Sequence, residues 1–235
     1  MDINTRILSQ LEKQRDIIFE SLEGTSISRL YKEQYDDIKT GRVYIMDNQE
    51  QQMLIDLKKL SKDTTRDNLY KNKLSQYLML DNNALISYFE IELEKKLHEI
   101  KISGKHHEIQ AIFIEYDFYY HFFGDIYCFG KQEYPLLEEP RYISGEFDYQ
   151  KQILFLDNGI NFQPAWIDCE EFAELDYLDI EFSLQNLFQL HSRVLLHMAL
   201  EKINLKNTMN FFQNRPFTFY INEHDCEVMT LFRLN

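Results

Sequence analysis

Residues 112–130, IFIEYDFYYHFFGDIYCFG, place carboxylate, tyrosine and histidine side chains close together in the chain. Alternate residues of an extended strand share a face, so Glu115 and Asp117 would lie on the same side. Continued extension would bring His121 to that side as well. Because carboxylates and imidazole are ordinary metal ligands, this spacing is compatible with a metal site.

A second pair of acids with the same spacing, Glu146 and Asp148, follows about thirty residues later. Two strands carrying Glu115, Asp117, Glu146 and Asp148 could face each other and hold Mg²⁺ for a hydrolytic phosphoryl transfer. The same spacing also describes the solvated outer face of a half-exposed antiparallel strand. We take the second interpretation, expect neither metal nor cofactor, and keep the metal-dependent hydrolase as an alternative.

No established catalytic motif occurs in the chain. It contains no P-loop, no GxGxxG after a strand, no HExxH and no GxSxG. The seven histidines show no ligand spacing with one another or with cysteine. His191 and His197 fall on different faces of one predicted helix, because six residues correspond to about 240° around its axis. The sequence therefore favours a protein without enzymatic activity.

The three cysteines, Cys128, Cys169 and Cys226, are far apart in the chain. An odd number of isolated cysteines is typical of thiols in a reducing compartment. The first residues contain no apolar core of a secretory signal, and no apolar run approaches the roughly 20 residues of a membrane span. We therefore expect a cytoplasmic protein with no membrane partner.

The negative charge is concentrated in one third of the chain. Residues 108–181 carry 17 carboxylates and 3 basic residues, a net charge of −14, whereas the remaining residues carry 22 charges of each sign. Nucleic acid is an unsuitable partner for such a surface, because binding to phosphates relies on Lys and Arg. A domain-scale negative potential instead attracts a basic protein, although it can also serve only to keep the chain soluble.

Aromatic side chains accompany the excess acid. Residues 108–181 are rich in Tyr and Phe and include the single tryptophan, Trp166, which precedes a second acidic run. Tyr and Trp are enriched where binding energy is concentrated in protein interfaces. Asp168 and Glu171 have the spacing of a helix capping box, which gives these two acids a structural explanation as well. The residues expected to contact a partner are Glu115, Asp117, Tyr119, Tyr120, Asp125, Trp166, Asp168, Glu170, Glu171, Glu174 and Asp176.

Helices are predicted for most of the first hundred residues. Apolar residues recur at helical intervals, with Gly or capping residues at the ends, over about 3–24, 27–41, 47–60, 69–80 and 84–100. One further helix, about Ser183 to Ile203, is apolar on most sides, which is typical of a helix buried on more than one face.

Strands are predicted from about residue 108 onward, where apolar residues alternate with polar ones. Gly124 and Asp125 form a suitable two-residue turn between two strands, and residues 143–159 indicate one or two strands that end in a turn at Asn158. A hairpin closes the chain, with its turn at about 222–225.

These elements predict an α+β fold with a helical N-terminal half packed on a mainly antiparallel sheet and one long central helix. No Pro-, Gly- or Ser-rich linker interrupts the chain. We therefore expect a single integrated domain over 1–235, with its helical part at about 1–104 and the sheet and central helix at about 105–235.

The combination of small size, acidity, aromatic content and missing catalytic motifs is similar to that of bacterial immunity proteins, which neutralise a toxin by binding it. This resemblance implies a protein–protein interaction in which the acidic, aromatic face occludes a basic toxin. The alternative with the same face is a mimic of nucleic acid that sequesters a DNA-binding protein. A mimic would compete with DNA for many basic partners, whereas a dedicated immunity protein would bind one.

Overall fold

The structure is a computed structural model of the 235-residue chain. It describes residues 2–43, 47–117, 121–130, 132–138, 141, 151–169, 172, 180–223 and 228–235. Within these ranges the side chains of 47–50, 117, 121 and 223 are not described.

The described residues form helices first and a sheet later, and the predicted α+β class is confirmed. The helices are α1 (Ile3–Glu23), α2 (Ile27–Lys39), α3 (Asp47–Leu60), α4 (Thr64–Leu78), α5 (Asn82–Ile102) and α6 (Ile180–Leu205). The strands are β1 (Ala111–Asp117), β2 (His121–Phe129), β3 (Gln152–Asn161), β4 (Phe217–Glu223) and β5 (Met229–Leu234).

Local capping sets the beginnings of several helices. The side chain of Asp81 accepts the N–H of Ala84 at the start of α5, and Asp63 accepts the N–H of Thr65 at the start of α4. A carboxylate or hydroxyl at this position satisfies an N–H group that has no partner within its own helix. These signals are local in sequence, which is why the helices could be predicted.

The five strands form one mixed sheet in the order β3-β2-β1-β4-β5. The central strand β1 is antiparallel to β2 and parallel to β4, and the two remaining pairs are antiparallel. The predicted terminal hairpin is confirmed as the β4–β5 pair. The parallel pair requires a crossover of about a hundred residues between β1 and β4, and α6 lies within it.

The chain divides into two compact units, each built from separate segments. The first comprises Met1–Arg15, Asp81–Trp166 and Gln189–Asn235 and contains the whole sheet; the second comprises Asp16–Leu80 and Ile167–Phe188. The expectation of a single integrated domain stays a prediction.

In the first unit, one face of the sheet packs against α5 and α6. Phe162, which follows β3, contacts the rings of Phe89 on α5 and Tyr116 on β1, with ring centroids 5.8 and 5.2 Å apart. His197 of α6 lies against Phe232 of β5. Large aromatic side chains such as these bury much apolar surface and stabilise this face.

In the second unit, Asp67 of α4 binds the first turn of α2. Its carboxylate accepts hydrogen bonds from the N–H and hydroxyl of Ser28, the latter at 2.6 Å, and from the hydroxyl of Ser26. Burial works against the charged carboxylate, but these hydrogen bonds outweigh it, and the pKa of Asp67 is lowered. A negative charge at a helix N-terminus is favourable, so this contact stabilises the packing of α2 with α4.

The predicted turn at Gly124 and Asp125 is wrong. Both residues lie inside β2, where Gly124 is opposite Tyr116 and Asp125 is opposite Glu115. A Cβ at Gly124 would lie 2.7 Å from the ring of Phe162, so glycine is needed here for close packing. Because β1 ends at Asp117, which pairs with His121 across the sheet, the predicted continuation of one strand to His121 is also wrong.

The predicted turn at Asn158 is wrong as well. Asn158 and Gly159 lie inside β3, at an irregularity where the β2–β3 register changes between Gly124 and Ile126. Asn158 has a φ of 49°, and its N–H donates to the carboxylate of Asp125 at 2.9 Å. Asn tolerates this conformation, so the dipeptide forms a bulge in the strand instead of ending it.

The outer edge of β5 is paired with other parts of the chain. The N–H and carbonyl of Val228, just before β5, both bond to Arg141, and the N–H of Thr230 donates to the carbonyl of Leu137. Nearer the end of the strand, the side-chain amide of Asn4 bonds to the carbonyl and the N–H of Arg233 at 2.8 and 2.9 Å. These contacts cover backbone groups that an edge strand otherwise exposes.

Candidate functional site

The acidic and aromatic side chains of the first unit meet on the sheet face opposite to α5 and α6. Cross-strand register places Glu115 opposite Asp125, and Tyr127 opposite Phe155. Asp157 follows two residues after Phe155 on β3. Directly opposite residues share a face of the sheet, so these five side chains form one surface, here called the acidic-aromatic face.

Tyr127 lies at the centre of the acidic-aromatic face. Its ring is 4.8 Å from that of Phe155 and 6.3 Å from that of Phe113, measured between centroids. Its hydroxyl is hydrogen-bonded to Glu115. Burial, followed by the charges of Glu115, Asp125 and Asp157, raises the pKa of Tyr127 to about 12. Three carboxylates therefore act on one phenol, and the potential here is negative.

Exposure varies across the acidic-aromatic face. Phe155 is 40% exposed, Asp157 is exposed, and Asp125 and Tyr127 are half-buried. Glu115 is only 9% exposed. The exposed part of the acidic-aromatic face thus offers the ring of Phe155 and carboxylate oxygens to a partner. Glu115 is buried and hydrogen-bonded to the hydroxyl of Tyr127.

Toward β4 and β5, another segment of the chain covers this same face of the sheet. Tyr134 and Leu137 pack on Phe113 and Tyr220 in a buried cluster. The hydroxyl of Tyr220 donates to the carbonyl of Pro135, which fixes this covering segment. The acidic-aromatic face is thus the continuation, toward β3, of a sheet face that is buried toward β4 and β5.

Of the predicted contact residues, the structure brings Glu115 and Asp125 together. Asp117 lies at the end of β1, and its side chain is not described. The remaining predictions in the described part are Trp166 and Asp168, which belong to different compact units. Six predicted residues lie outside the described residues: Tyr119, Tyr120, Glu170, Glu171, Glu174 and Asp176.

Trp166 and Asp168 have separate environments. Trp166 is half-buried, with its ring 5.5 Å from that of Phe122. Asp168 is exposed, and its backbone carbonyl accepts a hydrogen bond from the ammonium of Lys73 in the second unit. The predicted capping box from Asp168 to Glu171 includes a residue outside the described ones and stays a prediction.

Sequence reasoning missed three members of the acidic-aromatic face: Tyr127, Phe155 and Asp157. Phe155 and Asp157 have the period-two spacing of one strand face, and Tyr127 follows Asp125 with the same spacing. That signal was available. The register that brings β3 beside β2 was not, because it pairs residues of separate segments of the chain.

The histidines of α6 are packed and hydrogen-bonded. Nε2 of His191 is 3.0 Å from the side-chain oxygen of Asn82, and Nδ1 of His197 donates to the carbonyl of Leu231 at 2.7 Å. Both are nearly fully buried. His106 and His107 lie in a turn after α5.

The described residues contain no group of three or more His, Cys, Asp or Glu side chains arranged to hold a metal ion. Glu146 and Asp148, which the metal-site alternative requires, lie outside the described residues, so that alternative is untested. Cys128 and Cys169 are buried and form no disulfide, the thiol of Cys169 donates to the carbonyl of Ile167, and burial raises the pKa of Cys128 to about 12. A thiol with so high a pKa is not a reactive nucleophile at neutral pH.

A separate polar pocket of about 320 Å³ also lies in the first unit. Its lining includes side chains of both charge signs, among them Asp2, Glu201, Arg215 and Arg233. No predicted contact residue lines it. Its mixed charge does not match the chemistry of the acidic-aromatic face.

No helix in the described ranges combines the length and the apolar character that crossing a bilayer demands. Comparison of the chain with protein-family models, with curated proteins and with solved structures finds no match.

Proposed function

We propose that this chain is a non-enzymatic protein-binding module that occludes a basic surface of another protein. One observation carries the proposal: the rings of Tyr127 and Phe155 are in contact beside Asp125 and Asp157 on a partly exposed sheet face. That face lies within residues 108–181, whose net charge equals that of the whole chain.

Each part of the acidic-aromatic face has a role in such an interaction. The carboxylates of Asp125 and Asp157 steer a Lys- or Arg-rich surface toward the sheet and accelerate encounter. The exposed ring of Phe155 and the half-buried ring of Tyr127 offer apolar contact and π faces to an incoming cation. Burial of these rings would slow dissociation, because aromatic side chains dominate interface energetics.

The partner class that fits best is a basic toxin, and the module would then be a bacterial immunity-type protein acting in the cytoplasm. An immunity protein must bind one partner fast and release it slowly, which requires both long-range charge and a buried aromatic contact. Neutralisation by this route needs no catalytic group, no metal and no contact with nucleic acid or membrane.

The test is an affinity capture of the tagged chain from its native cells, washed at increasing salt. One stoichiometric basic partner that is toxic when expressed alone would support the proposal. Several DNA-binding proteins released at moderate salt would favour the nucleic-acid mimic. Absence of any basic partner at low salt would contradict both.

The captured partner then allows a test of the surface itself. Asp157→Lys reverses an exposed charge of the acidic-aromatic face and should reduce the association rate at low salt by about three- to tenfold. Glu23→Lys makes the same charge change on an exposed residue of α1 and is the matched control. Charge reversal at Glu170, Glu171 and Glu174 tests the predicted residues outside the described part in the same way. Equal rates for Asp157→Lys and Glu23→Lys would remove the acidic-aromatic face from the interface.

A further inference from the structure

Among the described residues, the two edges of the sheet differ in how many hydrogen bonds other segments make to them. Along β5, described residues of other segments bond to Val228, Thr230 and Arg233. Along the outer edge of β3, the described residues supply one hydrogen bond, from the ammonium of Lys105 to the carbonyl of Ile153. An edge strand that no described residue covers offers backbone donors and acceptors for pairing with another chain.

The N–H of Gln110 donates to the carbonyl of Phe129, so the backbone groups of Tyr127, two residues earlier in the regular part of β2, also point toward β1. Phe155 is the partner of Tyr127 and therefore directs its N–H and carbonyl away from β2, to the side on which the carbonyl of Ile153 accepts from Lys105. Phe155 is opposite Tyr127, and the close approach of their rings at 4.8 Å agrees with a pair that exchanges no backbone hydrogen bonds. Phe155 therefore combines an outward-facing donor and acceptor with an exposed ring.

We infer that the outer edge of β3, at Phe155, receives an extended Lys- or Arg-bearing segment of the basic partner, which adds to the sheet as a further strand. This inference rests on the proposed function and gives its mode of binding. Main-chain hydrogen bonds to Phe155 would fix the register, and alternate side chains of the added strand would lie over the acidic-aromatic face.

Charge decides which chain occupies the edge. Asp157 follows Phe155 on the same strand, and Asp125 lies on the neighbouring strand. A second copy of this chain would bring together two molecules that each carry a net charge of −14, and the same acids would face one another. Like charges opposite each other in a sheet are destabilising, whereas a basic strand is complementary.

The direct test uses a defined probe, an eight-residue peptide of alternating Lys and Thr, titrated at low salt into the isotope-labelled full chain. Backbone amide resonances and hydrogen exchange report which strand the peptide meets. We expect the amide of Phe155 to gain at least about tenfold protection from exchange, because a ladder hydrogen bond replaces water. The amides of Val228 and Arg233 on the β5 edge should not change. The same peptide with Glu in place of Lys should not bind.

Two substitutions at one position separate backbone pairing from side-chain contact. Phe155→Pro removes both the ring and the outward N–H, which an edge strand tolerates, while Phe155→Ala removes only the ring. Peptide affinity should fall about tenfold or more in Phe155→Pro and clearly less in Phe155→Ala, since only the first loses a strand-pairing hydrogen bond. If Phe155→Pro fails to fold, the exchange measurement on the unaltered chain still decides.

The outcomes separate this inference from the proposed function. One set of results would overturn strand addition and leave the proposed function standing. In that case Asp157→Lys weakens peptide binding, the amide of Phe155 gains no protection, and the Pro and Ala variants at Phe155 have equal effects. Absence of any binding by the Lys peptide would overturn strand addition, whereas the affinity capture decides the proposed function by itself. Protection of Phe155 that rises with protein concentration before peptide is added would assign the edge to a second copy, contrary to the inference.

Discussion

The guanidinium of Arg193 donates two hydrogen bonds to the hydroxyl oxygen of Tyr116, from Nε at 2.9 Å and from Nη2 at 2.6 Å. Arg193 is 7% exposed on α6, and no carboxylate of a described side chain lies within ion-pair distance of it. Its third nitrogen approaches the sulfur of Met229 at 3.5 Å. A buried charge is costly unless it is well hydrogen-bonded, so the phenol of Tyr116 is the principal group that stabilises this guanidinium.

Removal of the phenol oxygen should therefore lower the free energy of unfolding more than the loss of one atom suggests. Tyr116→Phe deletes the acceptor of both bonds and should lower the free energy of unfolding by about 2–3 kcal/mol, as for hydrogen bonds to charged groups. In Tyr116→Phe combined with Arg193→Met, the cost should be smaller than the sum of the single costs, because no unsatisfied charge is left behind. Urea unfolding of the four proteins measures this coupling. Strictly additive losses would show that the pair does not act as a unit.

The bulge in β3 should tolerate no side chain at Gly159. A Cβ there would lie 2.5 Å from Ile126 and 2.9 Å from the backbone oxygen of Gly124, so the backbone itself must move. We expect Gly159→Ala to lower the free energy of unfolding by about 1–3 kcal/mol. Gly24→Ala is the control, since its Cβ would have no atom nearer than 3.9 Å. A Gly159→Ala protein as stable as Gly24→Ala would mean that β2 and β3 are packed less closely.

The bonds between Asn4 and Arg233 join α1 to the last strand. Asn4→Ala removes both and exposes two backbone groups of β5, so we expect a loss of about 1–2 kcal/mol in unfolding free energy. Asn204→Ala, at an exposed position of α6, should be neutral or slightly stabilising. Hydrogen exchange at the amide of Arg233 gives a local readout and should accelerate only in Asn4→Ala. Unchanged exchange there would contradict the pairing.

The helices could be predicted from sequence because their signals are local. Apolar spacing and caps such as Asp81 are complete within one segment, and the helix from Ile180 differs from its predicted start by three residues. The glycines of the sheet led to wrong turn predictions, because glycine occurs both in turns and where neighbouring strands pack closely. Gly124 and Gly159 serve close packing against Phe162 and Ile126, and only the folded structure shows those neighbours.

The candidate site was predictable in part for the same reason. The acidity of residues 108–181 is a property of composition, and it led to Glu115 and Asp125. The position of Tyr127 between them and Phe155 depends on the register of three strands, which involves residues up to forty positions apart. No periodicity within one segment contains that information.

Stability should fall in weak acid because of His191. Burial, followed by the charge of Arg15, lowers the pKa of His191 to about 4, from an ordinary value of 6.5. Between these values the unfolded chain binds a proton that the folded chain does not, so the stability from this group is full above pH 6.5 and is lost as the pH falls toward 4. The expected slope is up to about 1.4 kcal/mol per pH unit in that window. Burial also lowers the pKa of His197, which adds in the same direction.

His191→Gln isolates the contribution of His191. The amide of Gln can still donate to the side-chain oxygen of Asn82, which Nε2 of His191 approaches at 3.0 Å. The variant should have nearly unaltered stability at pH 7.5 and a smaller loss of unfolding free energy between pH 6.5 and pH 4 than the unaltered chain. His98→Gln, at an exposed position of α5, is the control and should retain the pH dependence that comes from His191. Because carboxylates contribute to acid unfolding in all three proteins, the difference between the two variants is the quantity that tests His191. Parallel pH profiles for both variants would show that its pKa is not lowered in the folded chain.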